Sequence, residues 1–379
     1  MNPLVREKLV LLGTKENLGE EDYLEPLNIL IKSLREEANL TLFGSLAITY
    51  LLNSQLKTRS RVNEYLKENE PHSISPPLFI MGLPRSGTTF LFHLLGNDPN
   101  HRSPRFWEIL HLSPFSYKDS MREKNVIRRT NLELSLVNRL VPELRLVHPI
   151  LSDFPEECTL LTALGLQSYS YIYVANTPSY QEYLMNADFT SGFLWHSRFL
   201  KVLESKEKPV RWLLKDPNHI EHLPEILKIY PEANFVHIHR DPTESIGSIC
   251  SITSKVRSGF SNKVNNLQIG NSTLNYWDNA LNKHLNDRNN ISQEKIFNIQ
   301  YSDLITDPLK QVKSIYSHFD YDLSEEGKSA MESFLSKPSQ LKEGKHRYEL
   351  ENFGLSSKLV KKRLDRYFKE FVLGLDSSI

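Results

Sequence analysis

Between residues 78 and 95 an apolar run, a glycine-bearing loop and a helical pattern follow one another without a break. Leu78-Phe79-Ile80-Met81 is short and continuously apolar, as a strand buried on both faces requires. Gly82-Leu83-Pro84-Arg85-Ser86-Gly87-Thr88-Thr89 comes next, and Phe90-Leu91-Phe92-His93-Leu94-Leu95 then reads as helix. A glycine-containing loop between strand and helix points backbone N–H groups at an anion, and the helix dipole adds to the attraction. The Gly-x4-Gly spacing matches a P-loop, but the usual lysine position holds Thr88. A cation stands three residues earlier, as Arg85. A guanidinium with Ser86, Thr88 and Thr89 can hold phosphate oxygens without a metal. The competing readings are a turn that merely starts a helix, and a kinase or nucleotidase. The latter would lack the point charge that bridges terminal phosphates.

Three later runs share the character of 78–81. Arg211-Trp212-Leu213-Leu214 ends in Lys215-Asp216-Pro217, Asn234-Phe235-Val236-His237-Ile238-His239 ends in Arg240-Asp241-Pro242, and Ile296-Phe297-Asn298-Ile299-Gln300 ends in Tyr301-Ser302-Asp303. Helical patterns follow, for example from His219 to Tyr230 and from Pro308 to Phe319. Strands alternating with helices predict an α/β fold: a P-loop-type parallel sheet flanked by helices, with polar groups gathered at the strands' carboxyl ends. Residues 1 to 75 predict a helical N-terminal segment packed on the core, closed by the breakers around Pro71, Pro76 and Pro77. Residues 76–379 form the main domain, with a helical insertion over about 105–205 between the first and second sheet strands.

The 46 basic and 46 acidic residues cancel, which argues against a chain-wide nucleic-acid partner. Two cysteines, Cys158 and Cys250, make no disulfide framework, so a reducing, cytoplasmic compartment is expected. The first 20 residues carry charge in every short apolar run, unlike a signal peptide. The uncharged stretches Ala38–Leu56 and Cys158–Gln181 are too polar for membrane spans. In the first, Leu42, Phe43, Leu46, Ile48, Leu51 and Leu52 fall near helical spacing and predict one buried helix face.

The segment Pro84-Arg85-Ser86-Gly87-Thr88-Thr89 resembles the 5′-phosphosulfate loop of sulfotransferases that use 3′-phosphoadenylyl sulfate (PAPS). Arg240, at a strand end, and Ser248, eight residues on, are similar to the family's pair for the nucleotide 3′-phosphate. Tyr301 resembles the tyrosine that lies near the adenine, and Gly344-Lys345-His346-Arg347-Tyr348 the basic loop that closes over the 3′-phosphate. Together these pieces span roughly residues 78 to 350. The branch it resembles most is the large bacterial group related to tyrosylprotein sulfotransferases. Arg85 replaces the lysine of the cytosolic enzymes, and Phe90 stands where those carry tryptophan. The resemblance implies PAPS as co-substrate, no metal, and the nucleotide set Arg85, Ser86, Gly87, Thr88, Thr89, Phe90, Arg240, Ser248, Tyr301, Lys345 and His346.

Sulfuryl transfer by in-line displacement needs a base for the acceptor proton and cations for charge on the bridging oxygen. Glu108, beside Phe106 and Trp107, resembles the catalytic glutamate of the tyrosylprotein branch; the bland reading is a solvated surface carboxylate. Glu157 is the second carboxylate, but Pro155 followed by Glu156 and Glu157 first reads as a helix start. His148 and His196 are further candidates for the base. Lys215 resembles the lysine set against the transferring group, with Arg85 as the second cation; a strand-end ion pair with Asp216 is its bland reading. His237 and His239 alternate on one strand and share a face, as a metal pair would, yet no third ligand is evident in the spacing. The expected acceptor is a small-molecule or peptide hydroxyl, or an amine, with phenol, lipid, sugar and peptide all left open by the residues. Tyr169, Tyr171, Tyr173, Tyr180, Tyr183, Phe193 and Trp195 in the insertion suit either an apolar acceptor site or core. A non-catalytic nucleotide-binding protein would keep the same loops without needing a base.

Overall fold

A computed structural model describes residues 17–69, 73–112, 120–140, 151–337 and 349–372. The chain divides into two compact units. One comprises Ser75–Ser103, Pro209–Ser251 and Asn265–Ile379; the other comprises Met1–Ile74, Pro104–Lys208 and Ile252–Val264.

The first unit is built on a five-stranded parallel sheet: β1 Pro77–Gly82, β2 His101–Arg102, β3 Arg211–Lys215, β4 Asn234–His239 and β5 Ile296–Gln300. Their order is β2-β3-β1-β4-β5. All four predicted strands are present, and β1 is buried along its whole length, as its unbroken apolar run requires. Two-residue β2 is the strand that sequence reasoning missed, so the helical stretch follows β2 rather than β1. Leu78 and Ile80 of β1 pack into one core with Leu91, Leu94 and Ile315. Phe79 points to the other face and meets His219, Tyr230 and Phe235. Register sets Ile80 of β1 opposite Lys215 on one side and Val236 on the other, so β3, β1 and β4 end side by side. That places the loop after Gly82, the Lys215 side chain and the Arg240 turn at one edge, where ligands bind in open α/β sheets.

The second unit is helical over its described residues, with Leu24–Glu36, Leu42–Glu68, Ser120–Leu140, Pro178–Asn186 and Thr190–Glu204 as its main elements. Arg59 is fully buried within it. Its guanidinium donates to the carbonyls of Leu18, Glu20 and Leu164, pairs with Asp22, and stacks 3.8 Å over the Trp195 ring. Two expectations fail here. The Leu42–Glu68 helix does not bury Leu42 and Leu46; its inward face is Gly44, Ser45, Ile48, Thr49, Leu52 and Gln55. The reason is steric: a Cβ on Gly44 would lie 2.0 Å from the Phe260 carbonyl oxygen, so only the smallest residues admit that approach. Pro155 does not start a helix either. It forms an antiparallel bridge with Arg105, and the helix begins at Thr159. No helix among the described residues is long and apolar enough to cross a membrane.

Candidate functional site

The loop after β1 is shaped for an anion. Gly82 and Gly87 adopt φ of 149° and 92°, which side chains rarely tolerate. Arg85, although not glycine, also has positive φ, at 70°. At Gly82 a Cβ would clash with the Ile238 carbonyl at 2.6 Å and the Ser86 hydroxyl at 2.7 Å. Gly87 caps the Thr88–Leu95 helix with no side-chain cap, leaving the first amides of that helix without the usual local acceptor. Ser86 is buried, and its hydroxyl finds no hydrogen-bond partner among the described residues. Uncapped amides, hydroxyls and a cradle that a Cβ would fill suit a tetrahedral anion.

Lys215, buried at the end of β3, donates to the Thr89 hydroxyl at 3.2 Å and lies 5.8 Å from the centre of the Phe92 ring. Asp216 caps the next turn by accepting from the Asn218 amide at 2.9 Å. The Thr89 contact, invisible in the sequence, joins the strand-end cation to the loop. Arg240 donates to the Arg85 carbonyl at 2.5 Å, pairs with Glu244, and stacks 4.0 Å over the Tyr301 ring. Tyr301 opens the helix after β5, and its ring edge lies where a Gly87 Cβ would come within 3.0 Å. Arg85, Gly87, Arg240 and Tyr301 therefore converge around one loop. Ser248 is buried on the Pro242–Phe260 helix, about two turns beyond Arg240. Phe90 faces the core and lies 6.5 Å from Phe334. Lys345, His346 and His148 fall outside the described residues.

In the helical unit the carboxylate candidates come together through backbone pairing. The amides of Phe106 and Trp107 donate to the carbonyls of Phe154 and Ser152, and the Glu156 amide to Pro104. Glu108 is buried, not a solvated surface carboxylate. It sits at the third position of the Phe106–Leu110 helix, and its carboxylate accepts from the Arg105 amide at 2.8 Å. Glu156 is buried and accepts from the amide of half-buried Glu157 at 2.8 Å. His196 is wholly buried, and burial lowers its pKa to about 3, so it is neutral at physiological pH. Of the insertion's aromatics, Tyr169, Tyr171, Tyr180, Phe193 and Trp195 are interior core residues. Tyr183 lines an open cleft of about 620 Å³ with Asp22, Glu25, Glu182 and Asp188, whose acidity does not suit an apolar acceptor.

His237 and His239 do share a face of β4, and His284 joins them with its ring centre 4.7 Å from that of His237. The contact is edge-to-face packing, and no group of three His, Cys, Asp or Glu among the described residues is arranged to hold a metal.

The sequence matches the Sulfotransferase family over residues 76–325. The omega-hydroxy-beta-dihydromenaquinone-9 sulfotransferases Stf3 of Mycobacterium bovis and Mycobacterium tuberculosis are each 27% identical over 270 residues. That match covers 64% of this chain and 62% of the relatives' length. The crystal structure of sulfotransferase STF1 from Mycobacterium tuberculosis superposes with a TM-score of 0.81 at 29% identity, over 96% of this chain and 98% of that one. STF9 from Mycobacterium avium superposes with a TM-score of 0.86 at 23% identity, over 97% and 96%.

Proposed function

The chain belongs to the sulfotransferase family, and from that premise we propose that it moves the sulfuryl group of PAPS to a hydroxyl of an apolar organic acceptor. The observation that carries this reading is the meeting of an uncapped helix start, Lys215 and Arg240 at adjoining strand ends. The loop amides with Ser86, Gly87, Thr88 and Thr89 hold the 5′-phosphosulfate. Arg85 and Lys215 supply positive charge to the bridging oxygen as the S–O bond breaks. Arg240 and Ser248 bind the 3′-phosphate, with Tyr301 against the adenine. Phe90, Lys345 and His346 complete the proposed nucleotide set. Glu108 takes the acceptor's proton as its oxygen attacks sulfur in line, and Glu157 is the rival for that role. The nucleotide leaves as 3′-phosphoadenosine 5′-phosphate, so atoms and charge balance without a covalent intermediate. The acceptor class rests on the relatives' printed substrate, an omega-hydroxylated dihydromenaquinone. The missing P-loop lysine leaves a phosphotransferase reading without support.

The test is release of 3′-phosphoadenosine 5′-phosphate from PAPS with a hydroxylated prenylquinone and with its deoxy counterpart, in the presence of chelator. Release that depends on the hydroxyl supports the proposal. Equal release with both acceptors, or turnover of Mg-ATP in place of PAPS, would refute it.

A further inference from the structure

We propose that the Ser120–Leu140 helix, with the adjoining start of the Leu42–Glu68 helix, forms a surface that docks on an anionic lipid bilayer. The Ser120–Leu140 helix has 21 residues, yet among its described side chains only Thr130 is buried. Leu132 and Leu136 are 73% and 58% exposed, and Met121 is exposed with them. At about 100° per residue, Met121, Arg128, Leu132 and Arg139 fall within roughly 40° of one direction, with Lys124 and Leu136 flanking them.

The charges on this helix are sorted by side. Its two carboxylates are neutralised within the unit: Glu133 accepts from Arg129 at 2.8 Å, Tyr50 at 2.9 Å and His111 at 2.6 Å, and Glu123 pairs with Lys206 at 2.5 Å. Lys124, Arg128 and Arg139 are exposed and make no ion pair with a described residue. The outward side is thus cationic and aliphatic, in a chain whose total charge is zero. The inward-turned Glu133 accepts from the Tyr50 hydroxyl, and Tyr50 belongs to a second stripe in which Leu42, Leu46 and Tyr50 follow at four-residue steps, with Leu42 and Leu46 74% and 54% exposed.

Charge complementarity selects the occupant. Leucine and methionine side chains interleaved with arginine and lysine match a headgroup region, where aliphatic tips enter the acyl boundary and the cations reach up to phosphates. A protein partner would demand acidic groups at matching spacing, whereas an anionic bilayer offers them at every position.

Full-length protein is sedimented with phosphatidylcholine vesicles and with vesicles in which about one-third of the lipid is phosphatidylglycerol. Binding should be at least roughly tenfold stronger to the anionic vesicles and fall with added salt. The triple variant Lys124→Glu, Arg128→Glu, Arg139→Glu should lose about a hundredfold, and Leu132→Asn with Leu136→Asn about tenfold. All changed residues are exposed, so thermal unfolding and binding of 3′-phosphoadenosine 5′-phosphate should stay as in the parent protein. Equal partitioning into both vesicle types, parent-like binding by both variants, or no binding at all would overturn the proposal. So would a dimer in sedimentation velocity that either variant dissociates, since the face would then belong to a second copy.

Discussion

Acidification should destabilise this fold steeply below pH 6.5, because it keeps several imidazoles neutral in places where a charge has no solvation. Burial lowers the pKa of His196, His239 and His284 to about 3 and that of His101 to about 4, and pushes His237 well below the ordinary value. The unfolded chain takes up protons near pH 6.5 that the folded chain refuses. Stability is therefore complete above that pH and is lost as pH falls toward the folded values. Each such histidine removes about 1.4 kcal/mol per pH unit in that window. At pH 5.5 the four with pKa values near 3 and 4 together cost about 5–6 kcal/mol, against a total of about 5–15 kcal/mol for an ordinary domain. Urea unfolding followed by tryptophan fluorescence at pH 7.5, 6.5 and 5.5 measures the loss. His237→Leu isolates one group: both its ring nitrogens lack hydrogen-bond partners among the described residues, and it packs on His239, His284 and Phe371. The variant should unfold near the parent midpoint at pH 7.5 and recover about 1.4 kcal/mol per pH unit of the acid loss. Stability that does not change between pH 7.5 and 5.5, or a parent-like acid slope in His237→Leu, would refute the reasoning.

Arg240→Ala should weaken binding of 3′-phosphoadenosine 5′-phosphate by about 1.5–3 kcal/mol in titration calorimetry. An analogue without the 3′-phosphate should lose much less, its residual loss reflecting the carbonyl of Arg85 that the guanidinium holds. Glu108→Gln should lower kcat by about 10²–10⁴-fold with nucleotide affinity unchanged, since glutamine can still accept the Arg105 amide and preserve the cap. Glu157→Gln should keep most turnover; the reverse result would move the base to the Pro155-Glu156-Glu157 segment. Gly270→Ala would set a Cβ 2.0 Å from the Phe353 carbonyl oxygen, and denaturant unfolding should show a loss of about 1–3 kcal/mol or more.

The sheet and the glycine-bearing loop after β1 were legible because their signals are local. A strand buried on both faces must be apolar at every position, so β1 and the core of β3 could be read directly. Gly82 and Gly87 answer to backbone angles that their own residue type permits, and the candidates Arg240 and Tyr301 follow from where strands end. What remained hidden depended on the opposite partner. Two-residue β2 exists only because β3 offers it a ladder at Arg211 and Trp212. The contact of Lys215 with Thr89, and the pairing that brings Glu108 toward Glu156 and Glu157, join residues 126 and about 50 positions apart. His284 meets His237 only through packing of a helix on the sheet. The Leu42–Glu68 helix is the clearest case: counting apolar residues selects Leu42 and Leu46 for the inside, yet the face that turns inward is the one on which Gly44 admits the Phe260 carbonyl. Periodicity records what a helix could bury; which side it buries is decided by the backbone lying opposite, and that neighbour is supplied by the fold.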